Sequence, residues 1–504
     1  MKEFTKKQSG ILIAISIIIL IIPLFYKINE EPLKRWDESL YALVAYDLAY
    51  HGKALQAWSD FQGQNYNEPV TKPKTLFWMQ AGFMKIFGYD SKLAIRLPSI
   101  LATILLIAFL ISYCYRRYDS LLLGIFTSMV LITIRAYMFH HVARSGDFDA
   151  FLLLFSTMGI LFYFDFIKNS DNPQSYKYLL LTGACFAGAV LFKNIAGLFM
   201  LPGLLLYTLY KKKLLIILKS KYLYYTIALF FIIIIPYYLF EAFTFPNFFR
   251  ELWNHEIGGR YGGVIDRNQH PFYYYFQYLF TTGNHAPWVL FIPLTIGLVF
   301  ADKDSPFKDL VIFALIMTFT FLALISFAET KIRWYVAPTY PLLALLTGIS
   351  LYYLFRYVTS KVQGALSRFA LMACFGLALV FPSYLDILQG ITAYKEEEND
   401  CGFHYDVYEE CFKKINTEDL NYKELVVYRD STDWWIPQLL FYRNVYNDLY
   451  NFNIQISEDP MELRNHENVV VCYSHMPDIQ ELYQYKVLLK FKEIQLIKLE
   501  GVID

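Results

Sequence analysis

The sequence predicts an α-helical polytopic membrane protein with about eleven spans and a small C-terminal α/β domain. Three observations lead to this fold class. Of the 504 residues, 56% are hydrophobic and 19% are aromatic, and the mean hydropathy is +0.32, which exceeds the usual range of soluble proteins. Apolar runs of about 18 or more residues recur up to about residue 390. The tail beyond them changes to short segments of alternating character.

The spans follow from the apolar runs, taken in chain order. The predicted spans are residues 9–26, 92–114, 119–138, 148–167, 177–193, 195–210, 222–241, 286–301, 309–328, 334–355 and 366–388. The fifth and sixth are joined by little more than Phe192-Lys193-Asn194. The basic N-terminus and first run resemble a signal peptide. No small-residue cleavage site follows, however, so we predict that the first span is retained.

The orientation follows from the lysines and arginines of the short loops. If the N-terminus is cytoplasmic, nearly all inside loops are basic, most clearly Lys211–Lys221. Two long loops, Lys27–Asp90 and Glu241–His285, then lie outside together with the tail. Long loops usually carry function rather than connection. We therefore expect a multi-pass protein of the cytoplasmic (inner) membrane with an extracytoplasmic active site.

The tail has the pattern of a small soluble domain. ELVVYRD, NVVVCYS and KVLLKFKEIQLIKLE have strand character, and WWIPQLLFYRN is helix-like. We predict a transmembrane domain over residues 1–389 and an extracytoplasmic α/β domain over residues 390–504. Cys401 and Cys411 either pair as a disulfide, which an exterior location permits, or remain free thiols.

Acidic residues occur at two membrane boundaries on the predicted outer side. Asp37 and Glu38 begin the segment after the first span, where they either favour a helix dipole or supply an acid for chemistry. The amphipathic stretch SLYALVAYDLAYHG behind them is predicted to lie along the membrane interface. Asp147 and Asp149 follow the third span. They are either ordinary boundary residues or a second acidic cluster, with a divalent metal as a further option.

Several cations also fall on the outer side, against the positive-inside trend. The cationic residues and a neighbouring tyrosine are Lys72, Lys74, Lys193, His255, Arg260, Lys331, Arg333 and Tyr335. Each cation alone is explained by snorkelling or surface exposure. Lys193 has no acidic neighbour in the sequence, and a lysine at that depth is costly unless something anionic meets it. Together they predict a site for a phosphate or a lipid head group.

The ordered set of motifs resembles the aminoarabinose lipid A transferases and protein O-mannosyltransferases, membrane glycosyltransferases of the GT-C fold. RWDESLYALVAYDLAYHG is similar to the first-loop motif, TKPKTLFW to the Lys-Pro block and LFKNIAGLFMLP to the lysine-containing turn. NHEIGGR resembles the long-loop motif, ETKIRWYVAPTYPLLALLTG the late motif and WWIPQLLFYRNVY a tail segment. The sequence departs from the family at Thr71, where relatives often place an acid, and at Asn194, where glycine is usual.

The resemblance implies an inverting glycosyltransferase of the cell envelope that uses a sugar on polyprenyl phosphate. Its acceptor would be a lipid A-like glycolipid, a glycan or a protein. Asp37 would be the catalytic base, with Glu38 beside it and Asp147 or Asp149 as the second acidic position. The residues around the donor phosphate would be Tyr41, Lys72, Lys193, His255, Arg260 and Tyr335, and the cations Lys74, Lys331 and Arg333 are further candidates.

The chemistry supports this interpretation independently. Polyprenyl phosphate is a good leaving group, so the reaction needs a carboxylate to accept the proton of the acceptor and cations to stabilise the departing phosphate. Two alternatives remain open: a transporter or flippase of an anionic lipid-linked substrate, and a sensor whose tail binds a partner. The net charge of zero gives no field that favours nucleic acid. Membrane lipids are expected partners, and no cofactor is certain, although a divalent metal is an option.

Overall fold

The computed structural model describes residues 6–34, 36–52, 72–245, 247–258, 261–264, 268–281, 287–362, 364–393, 406–418, 420, 422–429, 436–465 and 467–503. The chain forms two compact units. The first comprises Met1–Ile28, Pro69–Leu76 and Arg96–Ile391. The second combines Asn29–Glu68 and Phe77–Ile95 with Thr392–Asp504. The domain boundary that we placed at residues 389/390 stays a prediction.

Helices dominate the chain before the tail. In the first half they are α1 (Lys6–Phe25), α2 (Asp37–Tyr50), α3 (Thr75–Phe87), α4 (Lys92–Tyr118), α5 (Leu121–Ile132), α6 (Arg135–Phe139), α7 (Asp149–Lys168), α8 (Tyr176–Lys193), α9 (Leu201–Tyr210), α10 (Leu214–Leu218) and α11 (Lys221–Thr244). The helices that follow are α12 (Phe248–Leu252), α13 (Tyr274–Thr281), α14 (Phe291–Ala301), α15 (Lys308–Ser326), α16 (Tyr340–Ser360), α17 (Ala365–Leu379) and α18 (Phe381–Ala393).

Every predicted span coincides with one helix or with two consecutive helices. Within the described residues, six helical stretches are long and apolar enough to cross a membrane. They are Lys92–Tyr118, Asp149–Lys168, Pro173–Leu198, Lys221–Thr244, Lys308–Ser326 and Arg333–Ser360. The apolar helices near residues 10–25, 121–132, 201–210 and 288–301 are shorter. The polytopic helical fold is thus confirmed, and the number of spans stays a prediction.

Small residues allow the helices of the first unit to approach closely. A Cβ atom on Gly124 of α5 would lie 2.6 Å from the Cα atom of Ile111 on α4. A Cβ atom on Gly348 of α16 would lie 2.5 Å from Oγ1 of Thr127 on α5. Helix pairs in membranes gain their stability from such close packing, because lipid supplies no hydrophobic drive. In contrast, only 6% of the most apolar part of α11 is buried, as expected for a helix that faces lipid.

Helix α2 is buried rather than half-exposed. We predicted an amphipathic helix at the membrane interface, but most of α2 after its first residue is inaccessible. It packs against the tail helix α20 (Pro437–Tyr450), and the Tyr46 hydroxyl donates a hydrogen bond of 2.9 Å to Asp448. The prediction was wrong in this respect, because sequence periodicity does not show that a distant helix covers the polar face.

The tail forms a five-stranded mixed sheet in the order β2-β1-β3-β5-β4. Its strands are β1 (Glu424–Tyr428), β2 (Asn453–Ser457), β3 (Asn468–Cys472), β4 (Tyr483–Phe491) and β5 (Ile494–Val502). Strand β1 pairs in parallel with β2 and β3, and β5 pairs antiparallel with β3 and β4. Three strand predictions are confirmed, although KVLLKFKEIQLIKLE forms most of the hairpin β4–β5 rather than one strand. Strand β2 was not predicted.

Two further helices, α19 (Asp406–Thr417) and α21 (Met476–Leu482), complete the tail. Cys411 on α19 is a buried free thiol, and burial raises its pKa to about 12. Because its thiol is free, Cys411 forms no disulfide with Cys401. Cys401 itself lies outside the described residues. Cys472, the last residue of β3, is disulfide-bonded.

Candidate active site

A cavity of about 700 Å³ lies within the first unit, among the ends of several helices. Apolar side chains from α7, α15 and the turn after α8 form part of its wall. The polar and charged lining residues are Lys72, Asp149, Lys193, Glu256, Tyr261, Thr330 and Tyr335. Four residues that the sequence singled out therefore share one cavity, although they are far apart in the chain.

Lys72 reaches the cavity from the segment just before α3. Its Nζ atom lies 2.6 Å from Oε1 of Glu256, in the π-helical turn Trp253–Gly258. The Lys72 and Glu256 side chains are only 11% and 7% exposed. The Thr75 hydroxyl, at the start of α3, donates a 2.7 Å hydrogen bond to the carbonyl of Leu191 in α8. This bond holds the approach to Lys72 beside the end of α8.

Lys193 is the last residue of α8, and its ammonium group forms an ion pair with Asp149, the first residue of α7. Asn194 ends the helix with a φ of +47° and a ψ of −136°, a backbone conformation that favours glycine. The Tyr238 hydroxyl donates a 2.8 Å hydrogen bond to the Asn194 side-chain oxygen. The backbone at position 194 therefore suits glycine, and the hydrogen bond from Tyr238 fixes the side chain of the asparagine that stands there.

The far wall of the cavity is built by the long loop and the segment after α15. Backbone hydrogen bonds join Glu329 to the carbonyl of Tyr261 at 3.1 Å and Lys331 to that of Asn268 at 2.8 Å. The Thr330 hydroxyl donates to the carbonyl of Gly263 at 2.7 Å. These bonds hold Tyr261 and Thr330 next to each other. Tyr335 follows in the 3₁₀ turn Arg333–Thr339 that leads into α16.

Of the two acidic candidates at 147 and 149, Asp149 is the one whose side chain lines the cavity. Asp147 is buried in its own network: its carboxylate accepts from the Ser145 hydroxyl and lies 3.2 Å from Nδ1 of His141. The His141 ring is stacked on Trp334 with 3.9 Å between the ring centroids. The sequence left this choice open, and the geometry associates Asp149 with Lys193.

Two predicted anion ligands are directed elsewhere. Lys74 is buried and pairs with Glu241 at 2.8 Å, with its Nζ atom 4.3 Å from the ring centroid of Phe245. Burial lowers the pKa of Lys74, while Glu241 opposes that shift. Lys331 is also buried and donates a 2.6 Å hydrogen bond to the carbonyl of Ala328. Neither lysine is among the residues that line the cavity.

The remaining predicted cations are placed in different ways. Arg333 is exposed, and its charge opposes the rise that burial causes in the pKa values of Tyr274 and Tyr278. His255 belongs to the π-helical turn, but its side chain lies outside the described part of the structure. Arg260 also lies outside the described residues.

Asp37, Glu38 and Tyr41 belong to the second unit. Asp37 is the half-buried first residue of α2. Glu38 is buried and accepts a 2.7 Å hydrogen bond from the backbone nitrogen of Lys34. The Tyr41 ring lies 5.5 Å from that of Phe77, centroid to centroid. Their roles as base, neighbouring acid and phosphate ligand stay predictions.

Sequence reasoning missed three polar lining residues, Glu256, Tyr261 and Thr330. The signal for Glu256 was present in NHEIGGR, where our attention went to the histidine and arginine. Its partner Lys72 is 184 positions away, so no local pattern revealed the pair. Tyr261 follows the same motif directly, and Thr330 directly precedes the predicted Lys331.

The charges of the cavity lining cancel. Lys72 and Lys193 contribute two positive charges, and Asp149 and Glu256 contribute two negative ones. Each lysine is paired with one carboxylate, and buried ions are tolerated when they are paired. An incoming anion must therefore compete with a carboxylate for at least one lysine. The apolar part of the wall can meanwhile contact a hydrocarbon chain.

Comparison with known proteins gives two sequence matches. A family model described as dolichyl-phosphate-mannose-protein mannosyltransferase matches residues 71–240, which include Lys72, Asp149 and Lys193. The undecaprenyl phosphate-alpha-4-amino-4-deoxy-L-arabinose arabinosyl transferase 1 of Pseudomonas fluorescens is 25% identical over 346 residues. That alignment covers 67% of this chain and 59% of the relative, so the chain spans about three fifths of the length of this curated relative.

Solved structures extend the likeness to nearly the whole chain. ArnT from Cupriavidus metallidurans bound to undecaprenyl phosphate matches with a TM-score of 0.68 at 15% identity, covering 98% of both chains. The chain has the GT-C fold. A second match to this fold is the apo oligosaccharyltransferase of Archaeoglobus fulgidus, with a TM-score of 0.57 at 10% identity. It covers 96% of this chain and 74% of that one.

The match confirms the GT-C fold that the ordered motifs predicted. It also confirms a multi-pass membrane protein with a small C-terminal sheet domain. In this GT-C chain the cavity residues come from helix ends and turns of the first unit. The fold alone does not assign their roles.

Proposed function

We propose that this GT-C chain is a glycosyltransferase that moves a sugar from a polyprenyl-phosphate donor to an acceptor of the cell envelope. The acceptor is a lipid A-like glycolipid, another glycan or a protein. The observation that carries the proposal is the meeting of Lys72 and Lys193 in one partly apolar cavity. Two ammonium groups suit a phosphate, and the apolar wall suits a prenyl chain. Undecaprenyl phosphate is the ligand named for the ArnT structure.

In the proposed reaction, an acceptor hydroxyl or amine attacks the anomeric carbon while the bond from that carbon to the phosphate oxygen breaks. The bonding electron pair leaves with the phosphate, which gains negative charge. Lys72 and Lys193 stabilise that charge, because preorganised cations act strongly in a site that excludes water. Asp37 is the predicted base that takes the acceptor proton. Attack opposite to the leaving group inverts the anomeric configuration.

Asp149 orients Lys193 in this scheme. A lysine at the end of a membrane helix has many rotamers, and a fixed carboxylate partner selects one of them. Glu256 instead occupies Lys72 until the donor phosphate displaces it. A divalent metal stays a prediction; His141 Nδ1 and Asp147 Oδ1, 3.2 Å apart, offer two ligand atoms, and no step above uses a metal.

We further propose that the protein lies in the cytoplasmic membrane with its active site and tail on the outer face. The basic short loops support this orientation. The disulfide of Cys472 supports it as well, because structural disulfides persist in oxidising compartments. The alternative of a transporter or flippase is set aside, since the sequence matches are named transferases.

The test is transfer by the purified full-length protein. Radiolabelled polyprenyl-phosphate sugars are incubated with the protein and crude envelope fractions, and labelled products are counted. We expect transfer by the wild type and a loss of about 100-fold in kcat for Lys72→Ala or Lys193→Ala, the size of effect seen when one charge-stabilising group is removed. Lys211→Ala is the matched control, because Lys211 pairs with Asp309 in a basic loop. Failure to transfer from any donor would contradict the proposal.

A further inference from the structure

A second cavity, of about 1000 Å³, lies within the second unit. It is lined by the turn between α3 and α4 and by the tail helices α19 and α20. The enclosed part of it, about 400 Å³, lies within the roughly 300–1,000 Å³ typical of ligand pockets. None of the predicted site residues lines it, although the tail motif WWIPQLLFYRNVY contributes Phe441, Tyr442, Val445 and Tyr446.

The cavity wall contains fixed polar groups. Lys92, at the start of α4, pairs with Glu409 of α19 at 2.8 Å, with side chains that are 9% and 21% exposed. The Tyr450 hydroxyl of α20 donates a 2.8 Å hydrogen bond to Asp90. Burial and this neighbour raise the pKa of Tyr450 to about 12, so its hydroxyl stays protonated. A nearly buried ion pair contributes little net stability. A role in ligand binding therefore explains this pair better than a role in stabilising the fold.

The charges and hydrogen-bonding groups of the lining limit the kind of ligand. Lys92 and Lys413 balance Asp90 and Glu409, so the lining offers no excess charge for a phosphate or an acidic peptide. The side chains of Asn29 and Asn416 add amide donors and acceptors. Donors and acceptors mixed at short range match a ligand whose groups also donate and accept, as sugar hydroxyls do.

Aromatic side chains also line the cavity. Phe441 and Tyr446 are buried in its wall, whereas Phe87 is 49% exposed and Tyr450 is half-buried. Aromatic faces carry partial negative charge and attract the C–H faces of sugar rings, which carry partial positive charge. Aromatic rings therefore suit the C–H surface of a sugar, and the paired polar groups beside them suit its hydroxyl edge.

We propose that this second cavity is a subsite for a neutral, hydroxyl-rich saccharide unit. Its assignment to the acceptor of sugar transfer rests on the proposed function, whereas saccharide binding itself does not. The acceptor would accordingly be a glycolipid or glycan, with its carbohydrate part held by the second unit. An acceptor protein that carries no sugar would not occupy this cavity.

The experiment measures binding to the full-length protein in detergent, without any donor. The probes are chitobiose, cellobiose and mannobiose, with inorganic phosphate and a serine-rich octapeptide as competing classes, observed by saturation-transfer NMR. We expect saturable binding of at least one disaccharide with a Kd on the order of 1 mM, as a small ligand with few contacts gives. Asn416→Trp, which fills the cavity, should raise that Kd at least about tenfold, and Lys413→Gln about fivefold, the effect of one lost hydrogen bond.

Lys414→Gln is the matched control, because Lys414 is the next residue on α19 but lies over Phe491 and does not line the cavity. It should leave the Kd within about twofold. Each variant is first checked for wild-type thermal unfolding. The proposal is overturned if no disaccharide binds, if Asn416→Trp binds as the wild type does, or if only phosphate or the peptide binds. Failure of the transfer assay with intact disaccharide binding would reject the proposed function and leave the subsite standing.

Discussion

Replacing Glu256 with glutamine should strengthen the binding of the donor phosphate. In the cavity, Glu256 Oε1 lies 2.6 Å from Nζ of Lys72, so a carboxylate already occupies the cation that we assign to the phosphate. The donor can use Lys72 fully only after this ion pair opens. Glu256→Gln keeps the size and shape of the side chain but removes the competing charge.

The size of the effect follows from the geometry. At 2.6 Å and an effective dielectric constant of about 20, the gross attraction is about 6 kcal/mol. Desolvation of two side chains that are about one-tenth exposed offsets most of it. The net strength of a hydrogen bond to a charged group is about 1.5–3 kcal/mol, and a neutral amide retains part of that. We therefore expect the Kd of polyprenyl phosphate to fall about tenfold, which corresponds to 1.4 kcal/mol.

The assay is equilibrium binding of a radiolabelled short-chain polyprenyl phosphate to the detergent-purified protein. Glu251→Gln is the matched control: it removes the same charge from the neighbouring helix α12, where Glu251 pairs with Arg250 at 3.1 Å. If both variants improve binding equally, long-range repulsion rather than competition at Lys72 is responsible. An unchanged or higher Kd in Glu256→Gln would show that Glu256 positions Lys72 and does not compete for it, which refutes the reasoning.

Three other substitutions test the site and its support. Asp37→Asn should abolish sugar transfer while donor binding stays within about twofold; loss of both would show a structural role instead. Lys193→Ala and Asp149→Asn should be non-additive in donor binding, because the two side chains form one ion pair; strict additivity in a double-mutant cycle would contradict their coupling. Glu241→Gln should destabilise the protein by about 3–5 kcal/mol, because it leaves the Lys74 ammonium buried without its carboxylate. A thermal unfolding midpoint equal to that of the wild type would refute this.

The sequence predicted correctly those helices and strands whose formation depends on a local pattern of residues. A membrane helix needs only a continuous apolar run, so each predicted span coincides with helices. The strands β1 and β3 were predicted because their runs of valine are short and bounded by polar residues. Strand β2 was missed because Asn453 and Gln455 dilute its pattern, and its pairing with β1 is a long-range property.

Long-range pairs could not be read from the sequence. Lys193 was notable because it has no acidic neighbour in the chain, and its partner in space is Asp149. The cost of an unpaired lysine at that depth predicted that Lys193 needs an anionic partner. It did not predict that this partner is the Asp149 carboxylate. For Lys74, closeness in sequence was misleading. Its position near Lys72 suggested a shared role, yet its side chain is buried against Glu241. Lys72 and Lys74 are separated by Pro73 in a bend and turn before α3, so proximity in sequence did not imply a common site.

The charged residues of the cavity share one structural property: they lie at places where α-helices begin, end or are interrupted. Asp149 begins α7, Lys193 ends α8, and Glu256 lies in a π-helical turn. In lipid, an uninterrupted helix satisfies its own backbone and exposes its side chains to hydrocarbon, where a charge is costly. Where helices break, backbone polar groups and side chains from several segments meet away from lipid. Charged residues therefore accumulate at these breaks, and an anionic ligand that reaches them finds cations held in place by the fold.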